Sequence, residues 1–210
     1  MMSTFSKPSS KFATSNFTYK PFIRNPKQKT VIILTQVRSG SSFMGDLLNH
    51  LPKSYFTAEP IRAFLNISFP NNGTDHKVLQ TFMDGVLKCN FHQSLLESRL
   101  NFPDNLDIEY GLDDVKFRTF MCMRSNIHVI KLVTIRIKHL LEFMEDPELD
   151  IYIIHLLRDP RGILNSVKYI QTENFLQTPN YYCENMRKDL KSSKLLRSIY
   201  PNRWDCYTKL

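Results

Sequence analysis

Apolar positions along this chain form two kinds of pattern. Residues 30–35 (TVIILT), 128–135 (HVIKLVTI) and 151–157 (IYIIHLL) are mostly apolar and β-branched runs. Runs of that kind are expected of strands buried on both faces of a parallel sheet. Residues 55–57 (YFT) read as a shorter strand. Between these runs the apolar residues recur at helical spacing. Phe43, Met44, Leu47, Leu48 and Leu51 line one side of a helix that Ser41 or Ser42 should cap and Pro52 should close. Val78, Leu79, Phe82, Met83, Val86 and Leu87 predict a helix from His76 to about residue 100. Further helices are predicted over 136–144, 160–170 and 181–198, the last with a basic exposed face. Strands alternating with helices define an α/β fold, a parallel sheet flanked by helices. Residues 1–29, rich in Ser, Lys, Asn and Pro, read as a mobile tail, and 30–210 as one domain.

Two loops follow two of these strands, where ligands bind in open parallel sheets. The first, Gln36 to Phe43, holds Arg38, Ser39, Gly40, Ser41 and Ser42 just ahead of a helix. Backbone N–H groups at a helix start attract anions, Gly40 allows close approach, and Arg38 adds a forked cation. A strand followed by a capped helix would explain the same residues without a ligand. The Lys-Ser/Thr ending of an ATP-binding loop is missing, which weakens a kinase reading. The second loop, Arg158-Asp159-Pro160-Arg161, precedes a helix carrying Ser166. Arg158 stands at the strand end, able to grip a phosphate, while Asp159 and Arg161 can form a surface ion pair.

Composition refines this picture little. Of 210 residues 42% are hydrophobic, enough for a real core. Lys+Arg 28 against Asp+Glu 20 leaves a formal charge of +8, which suits a nucleotide, an acidic polysaccharide, anionic lipid or nucleic acid. No recognisable nucleic-acid module accompanies the charge, so a nucleic-acid partner is not expected. The four cysteines, Cys89, Cys122, Cys183 and Cys206, allow three pairings and show no zinc spacing, so no metal is expected. Asn16, Asn66 and Asn72 head N-glycosylation triplets, the mark of a lumenal glycoprotein, yet no signal peptide or membrane anchor is legible.

Taken together, the two loops resemble the Golgi carbohydrate sulfotransferases, and within them the galactose, N-acetylglucosamine and N-acetylgalactosamine 6-O-sulfotransferases. The strand ending in RSGSSF with Glu59-Pro60 soon after is similar to that family's 5′-phosphosulfate loop, and IIHLLRDPRGILNSV to its 3′-phosphate motif. The Cys183, Met186, Asp189-Leu190 pattern and Tyr200-Pro201 extend the resemblance to about residue 200. The resemblance implies a P-loop-like sheet of sulfotransferase type and a donor, 3′-phosphoadenosine-5′-phosphosulfate (PAPS), used without a metal. It implies a glycan acceptor, sulfuryl transfer to a sugar 6-hydroxyl, and residence in the Golgi lumen.

Carried over residue by residue, Arg38, Ser39, Gly40, Ser41, Ser42 and Phe43 form the phosphosulfate cradle, and Arg158 and Ser166 hold the 3′-phosphate. Arg38 also faces the leaving group, and Glu59 is the candidate base, although its carboxylate could simply favour a helix start. His50 and His155 are weaker candidates, His155 reading as a core histidine. Where the family continues into an Arg-Tyr-Glu-Asp-Leu strand, this chain reads Asn202-Arg203-Trp204-Asp205-Cys206 and ends at Leu210. The expectation is therefore a chain truncated at its C-terminal side, with an exposed sheet edge and either weak stability, melting below about 45 °C in isolation, or dependence on a partner. A catalytically impaired PAPS or glycan binder is the alternative function. Oligomeric state stays open.

Overall fold

The computed structural model describes residues 23–61, 76–91, 114–133, 135–168 and 179–209. The N-glycosylation triplets fall outside them. So do residues 1–22 of the expected tail, whereas 24–29 are tied into the fold. Arg24 donates to the Gln28 side chain at 2.7 Å, and the Asn25 N–H to the Met123 carbonyl at 2.8 Å.

The strands β1 (Lys29–Thr35), β2 (Ser54–Ala58), β3 (Ile127–Leu132), β4 (Asp150–Arg158) and β5 (Trp204–Lys209) form one sheet in the order β2-β3-β1-β4-β5. Every neighbouring pair is parallel. The mostly apolar runs fold this way because both faces of the sheet are covered. Ile33 of β1 packs with Phe56, Val129 and Leu156 under Met44 and Leu48 of helix α1 (Ser41–Asn49). Ile32 and Leu34 point the other way, into a larger core that includes Ile130, Ile151 and Met83. Gly45 is the point of closest packing: a Cβ there would lie 2.4 Å from the Phe56 ring.

The remaining helices are α2 (His76–Leu87), α3 (Asp114–Arg124), α4 (Leu141–Met144), α5 (Pro160–Val167) and α6 (Pro179–Ile199), with one 3-10 turn at Ile137–His139. Several expectations need correction, among them the helix predicted from His76 to about residue 100, which ends at Leu87. The helix predicted over 136–144 is split into that turn and short α4, and the strand predicted to Ile135 stops at Leu132. Helix α3 was not foreseen, because its sequence DVKFRTFMCMR mixes polar and apolar residues without a clean stripe. The sheet edge expected to stand open beside β4 is occupied by β5, paired from Ile153↔Trp204 to Arg158↔Lys209. The exposed-edge argument for weak stability lapses with it.

Cysteine pairing is also settled for this part of the chain. Cys89 and Cys122 form a disulfide, joining the residues just past α2 to α3, while Cys183 keeps a free thiol. His128 lies against it, with Nδ1 3.5 Å from Cys122 Sγ, and shares a 2.9 Å hydrogen bond with Thr57 Oγ1 through Nε2. The close grouping of these sulfurs with His128 is accounted for by the disulfide. Among the described residues no helix is long and apolar enough to cross a membrane.

Candidate functional site

β1 and β4 are neighbours, and the chain leaves β1 toward β2 at one edge of the sheet and β4 toward β5 at the other. Such a switch point opens a crevice in an open parallel sheet. Here it is a cleft of about 480 Å³, within the range typical of small-molecule sites. The carboxyl ends of four strands supply its lining. Arg38, Gly40, Ser41 and Ser42 follow β1, Glu59 follows β2, Lys131 is the penultimate residue of β3, and Arg158 ends β4, with Ser166 from α5.

The first loop is built for close backbone approach. Arg38 and Gly40 both have left-handed backbone, φ 62° and 89°. Gly40, not Ser41 or Ser42, is the N-cap of α1, and no side chain caps the helix. The first internal bond of α1 is the 3.2 Å one from the Met44 N–H to the Gly40 carbonyl. The N–H groups of the first turn therefore point out of the helix as anion donors. Ser39 is buried, and its hydroxyl finds no partner among the described residues. A buried hydroxyl of that kind suits a bound anion or water. Phe43 does not join the lining: it stands 69% exposed on the outer side of α1.

The two loops are bound to each other. Arg38 Nε donates to Ser166 Oγ at 2.9 Å, and an Arg158 terminal nitrogen donates to the Arg38 carbonyl at 2.7 Å. Each arginine is thus steadied by the opposite loop. Neither meets a carboxylate among the described residues, so both charges remain available to a ligand. Gly162 leaves room for this arrangement, since a Cβ there would sit 3.0 Å from Arg158 Nε. Asp159 caps α5 through the Arg161 N–H at 2.8 Å and pairs with the Arg161 side chain on the surface. The Arg161 hydrogen bonds pull the Asp159 carboxyl down to about 2.

On the other wall, Glu59 also has left-handed backbone, φ 46°, and its N–H donates to the Lys131 carbonyl at 2.9 Å. Lys131 Nζ lies 2.8 Å from Glu59 Oε1 and 3.2 Å from Ser42 Oγ, joining the carboxylate to the anion loop. Sequence reasoning missed Lys131. The available signal was a lysine inside an apolar strand, which a buried position tolerates only with a partner. His50 and His155 do not reach the cleft. His50 is exposed at the end of α1, its Nδ1 2.7 Å from the Asp46 carbonyl. His155 is buried inside β4, where burial lowers its pKa.

Fold and cleft define an α/β protein with a cationic site at the carboxyl edge of a parallel sheet. Comparison with known proteins narrows the class. No family model matches the chain. Carbohydrate sulfotransferase 6 of Homo sapiens is 25% identical over 168 residues, covering 65% of this chain and 42% of that protein. Carbohydrate sulfotransferase 1 of Danio rerio is 27% identical over 194 residues, covering 70% and 46%. The Rattus norvegicus carbohydrate sulfotransferase 1 is 26% identical over 202 residues, covering 75% and 48%. The resemblance carried by the two loops thus extends over most of the chain, which is similar to these carbohydrate sulfotransferases at about one residue in four. The chain spans about half the length of these relatives. Among solved structures, a thymidylate kinase from Ehrlichia chaffeensis is similar over 87% of this chain and 88% of its own, at 13% identity and a TM-score of 0.42. That score is too low to bear on function.

Proposed function

We propose that this chain carries the donor site of a PAPS-dependent carbohydrate sulfotransferase that modifies a sugar hydroxyl, the 6-hydroxyl by the family resemblance. The observation that carries the reading is the joining of the two loops at one cleft, with Arg38 and Arg158 in mutual contact. A single nucleotide with phosphates at both its 5′ and 3′ sides can span them. The residues present fit such a donor: two arginines without carboxylate partners among the described residues, uncapped N–H groups at α1, and the buried Ser39 hydroxyl.

When bound, the donor supplies an activated sulfuryl group, and the protein's residues do the rest. Ser41, Ser42 and the α1 N–H groups hold the 5′ end, while Arg158 and Ser166 hold the 3′-phosphate. Glu59, on the opposite wall, takes the acceptor's hydroxyl proton. Lys131 orients that carboxylate from one side and presents its ammonium to the anion from the other. Arg38 and Lys131 face the negative charge that builds as the bond to the leaving oxygen breaks. No metal is called for, because fixed cations occupy the place where one would act. The Cys89–Cys122 disulfide favours an oxidising compartment and agrees with a Golgi lumen.

The test is transfer of radiolabelled sulfate from PAPS to a panel of glycans. We expect a sulfated sugar product from the native chain and none from Arg38→Ala. Donor binding without transfer to any glycan would instead identify an impaired, binding-only relative.

A further inference from the structure

We propose that the exposed face of α6 is a docking track for an acidic glycan, one whose sugars already bear sulfate or carboxylate groups. This deepens the sulfotransferase reading and rests on it. Around the helix, Tyr182, Asp189, Ser193 and Leu196 are buried. The opposite side exposes Arg187, Lys188, Lys191, Lys194 and Arg197. At 100° per residue these cations share one broad face, about 15 Å long from residue 187 to residue 197. None meets a carboxylate among the described residues, and Glu184 is the one acidic side chain exposed on α6. Pairs such as Arg187 with Lys191, or Lys191 with Lys194, are like charges at helical contact spacing, which destabilises a helix. A polyanion laid along the face would relieve all of them at once.

The position of α6 connects this face to the cleft. Gln36, in the anion loop, donates from Nε2 to the Tyr182 carbonyl at 3.0 Å. Tyr182 and Met186 pack with Val37, Ile163 and Val167. Further along, Arg136 binds Asp189 at 2.9 Å, fixing the helix's rotation. The helix therefore starts beside the donor loop. It runs back along the sheet and delivers the chain to β5, whose first residue pairs with Ile153 in the first half of β4. A glycan following the cations from Arg197 toward Arg187 is led to the cleft, with exposed Tyr181 at that end for a sugar ring to stack on. Charge complementarity and continuity with the cleft favour a glycan over other polyanions. A base-stacking surface needs several exposed aromatics, and α6 exposes Tyr181. Bilayer docking needs a full apolar face, and α6 offers Leu195 and Ile199 near one end.

The experiment measures binding of the full chain to four probes. These are a size-defined sulfated chondroitin oligosaccharide, a neutral N-acetyllactosamine oligosaccharide, a single-stranded oligonucleotide, and phosphatidylserine vesicles. The variant is Lys188→Ala/Lys191→Ala/Lys194→Ala, all at exposed sites outside the cleft. We expect the sulfated oligosaccharide to bind in preference to the other three and to lose about tenfold or more in the variant, as removal of three exposed charge contacts predicts. Affinity for adenosine 3′,5′-bisphosphate should stay unchanged. Equal binding of the sulfated oligosaccharide by variant and native chain overturns the track. So does an oligonucleotide or vesicle that binds as tightly and weakens as much. Bisphosphate binding by the native chain is read separately: its loss sinks the donor site, and the glycan comparison still decides the track.

Discussion

Lys131 and Glu59 divide their work by geometry. The lysine stands one residue before the end of β3 and is 8% exposed, so its ammonium depends on Glu59 and Ser42 for partners. Burial of a charge is tolerated only when it is paired, and the pair here also aims a carboxylate into the cleft. Glu59→Gln keeps the shape and a hydrogen bond to Lys131 but removes the proposed base. Transfer should fall by about 10²- to 10⁴-fold, with bisphosphate affinity little changed. Lys131→Met should lower both transfer and bisphosphate affinity, because it removes a cation beside the anion loop. Steady-state kinetics together with calorimetry separate the two. A Glu59→Gln variant with native transfer would remove Glu59 from the proposed chemistry.

At the scale of elements, the region around β3 couples pH to stability. His128 is fully buried between β2, α3 and the disulfide. Burial first, and the Arg24 charge second, push its pKa down to about 3. An unfolded histidine titrates near 6.5, so between about pH 6.5 and 3 the unfolded chain binds the extra proton. Stability from this group is complete above pH 6.5 and lost as the pH falls, by about 1.4 kcal/mol per unit. Urea midpoints from pH 7 to 5 should decline accordingly, and His128→Gln should flatten the slope. A native profile already flat across that range would contradict this placement of His128.

The same region shows why some elements could be read from the sequence and others could not. β1 and β4 are mostly apolar runs buried on both faces, and their pattern survives any tertiary context. α1 and α6 carry stripes wide enough to declare a helix. Helix α3 takes its stability from Cys122 and its neighbours packing on β3, which local periodicity does not encode. In β5, Asp205 and Lys209 break up any apolar run, so parallel pairing with β4 decides its state. The loops at the ends of β1 and β4, which line one cleft, were legible because arginine, serine and glycine interrupt apolar runs there. Lys131 was not, because one charged residue inside a strand points to a site only once its partners are known.

For the molecule as a whole, the disulfide is the strongest long-range constraint among the described residues. It joins positions 33 residues apart. Loop-closure entropy for that separation is about 4 kcal/mol. With β5 covering the edge of β4, the oxidised chain should melt in the ordinary mesophile range, about 45–65 °C. Reduction should lower that by about 10 °C in a scan with and without reductant, given 2–4 °C per kcal/mol at this size. No shift on reduction would mean that the Cys89–Cys122 pair does not form in solution.

Donor recognition as proposed requires one cleft to grip both phosphate ends of a single nucleotide. Isothermal calorimetry with adenosine 3′,5′-bisphosphate and adenosine 5′-monophosphate tests this most directly. The native chain should prefer the bisphosphate by about tenfold or more, the worth of a charge-assisted arginine contact. Arg158→Ala should erase that preference while leaving 5′-monophosphate binding intact. Equal affinity for the two nucleotides in the native chain, or a preference untouched by Arg158→Ala, would contradict the account.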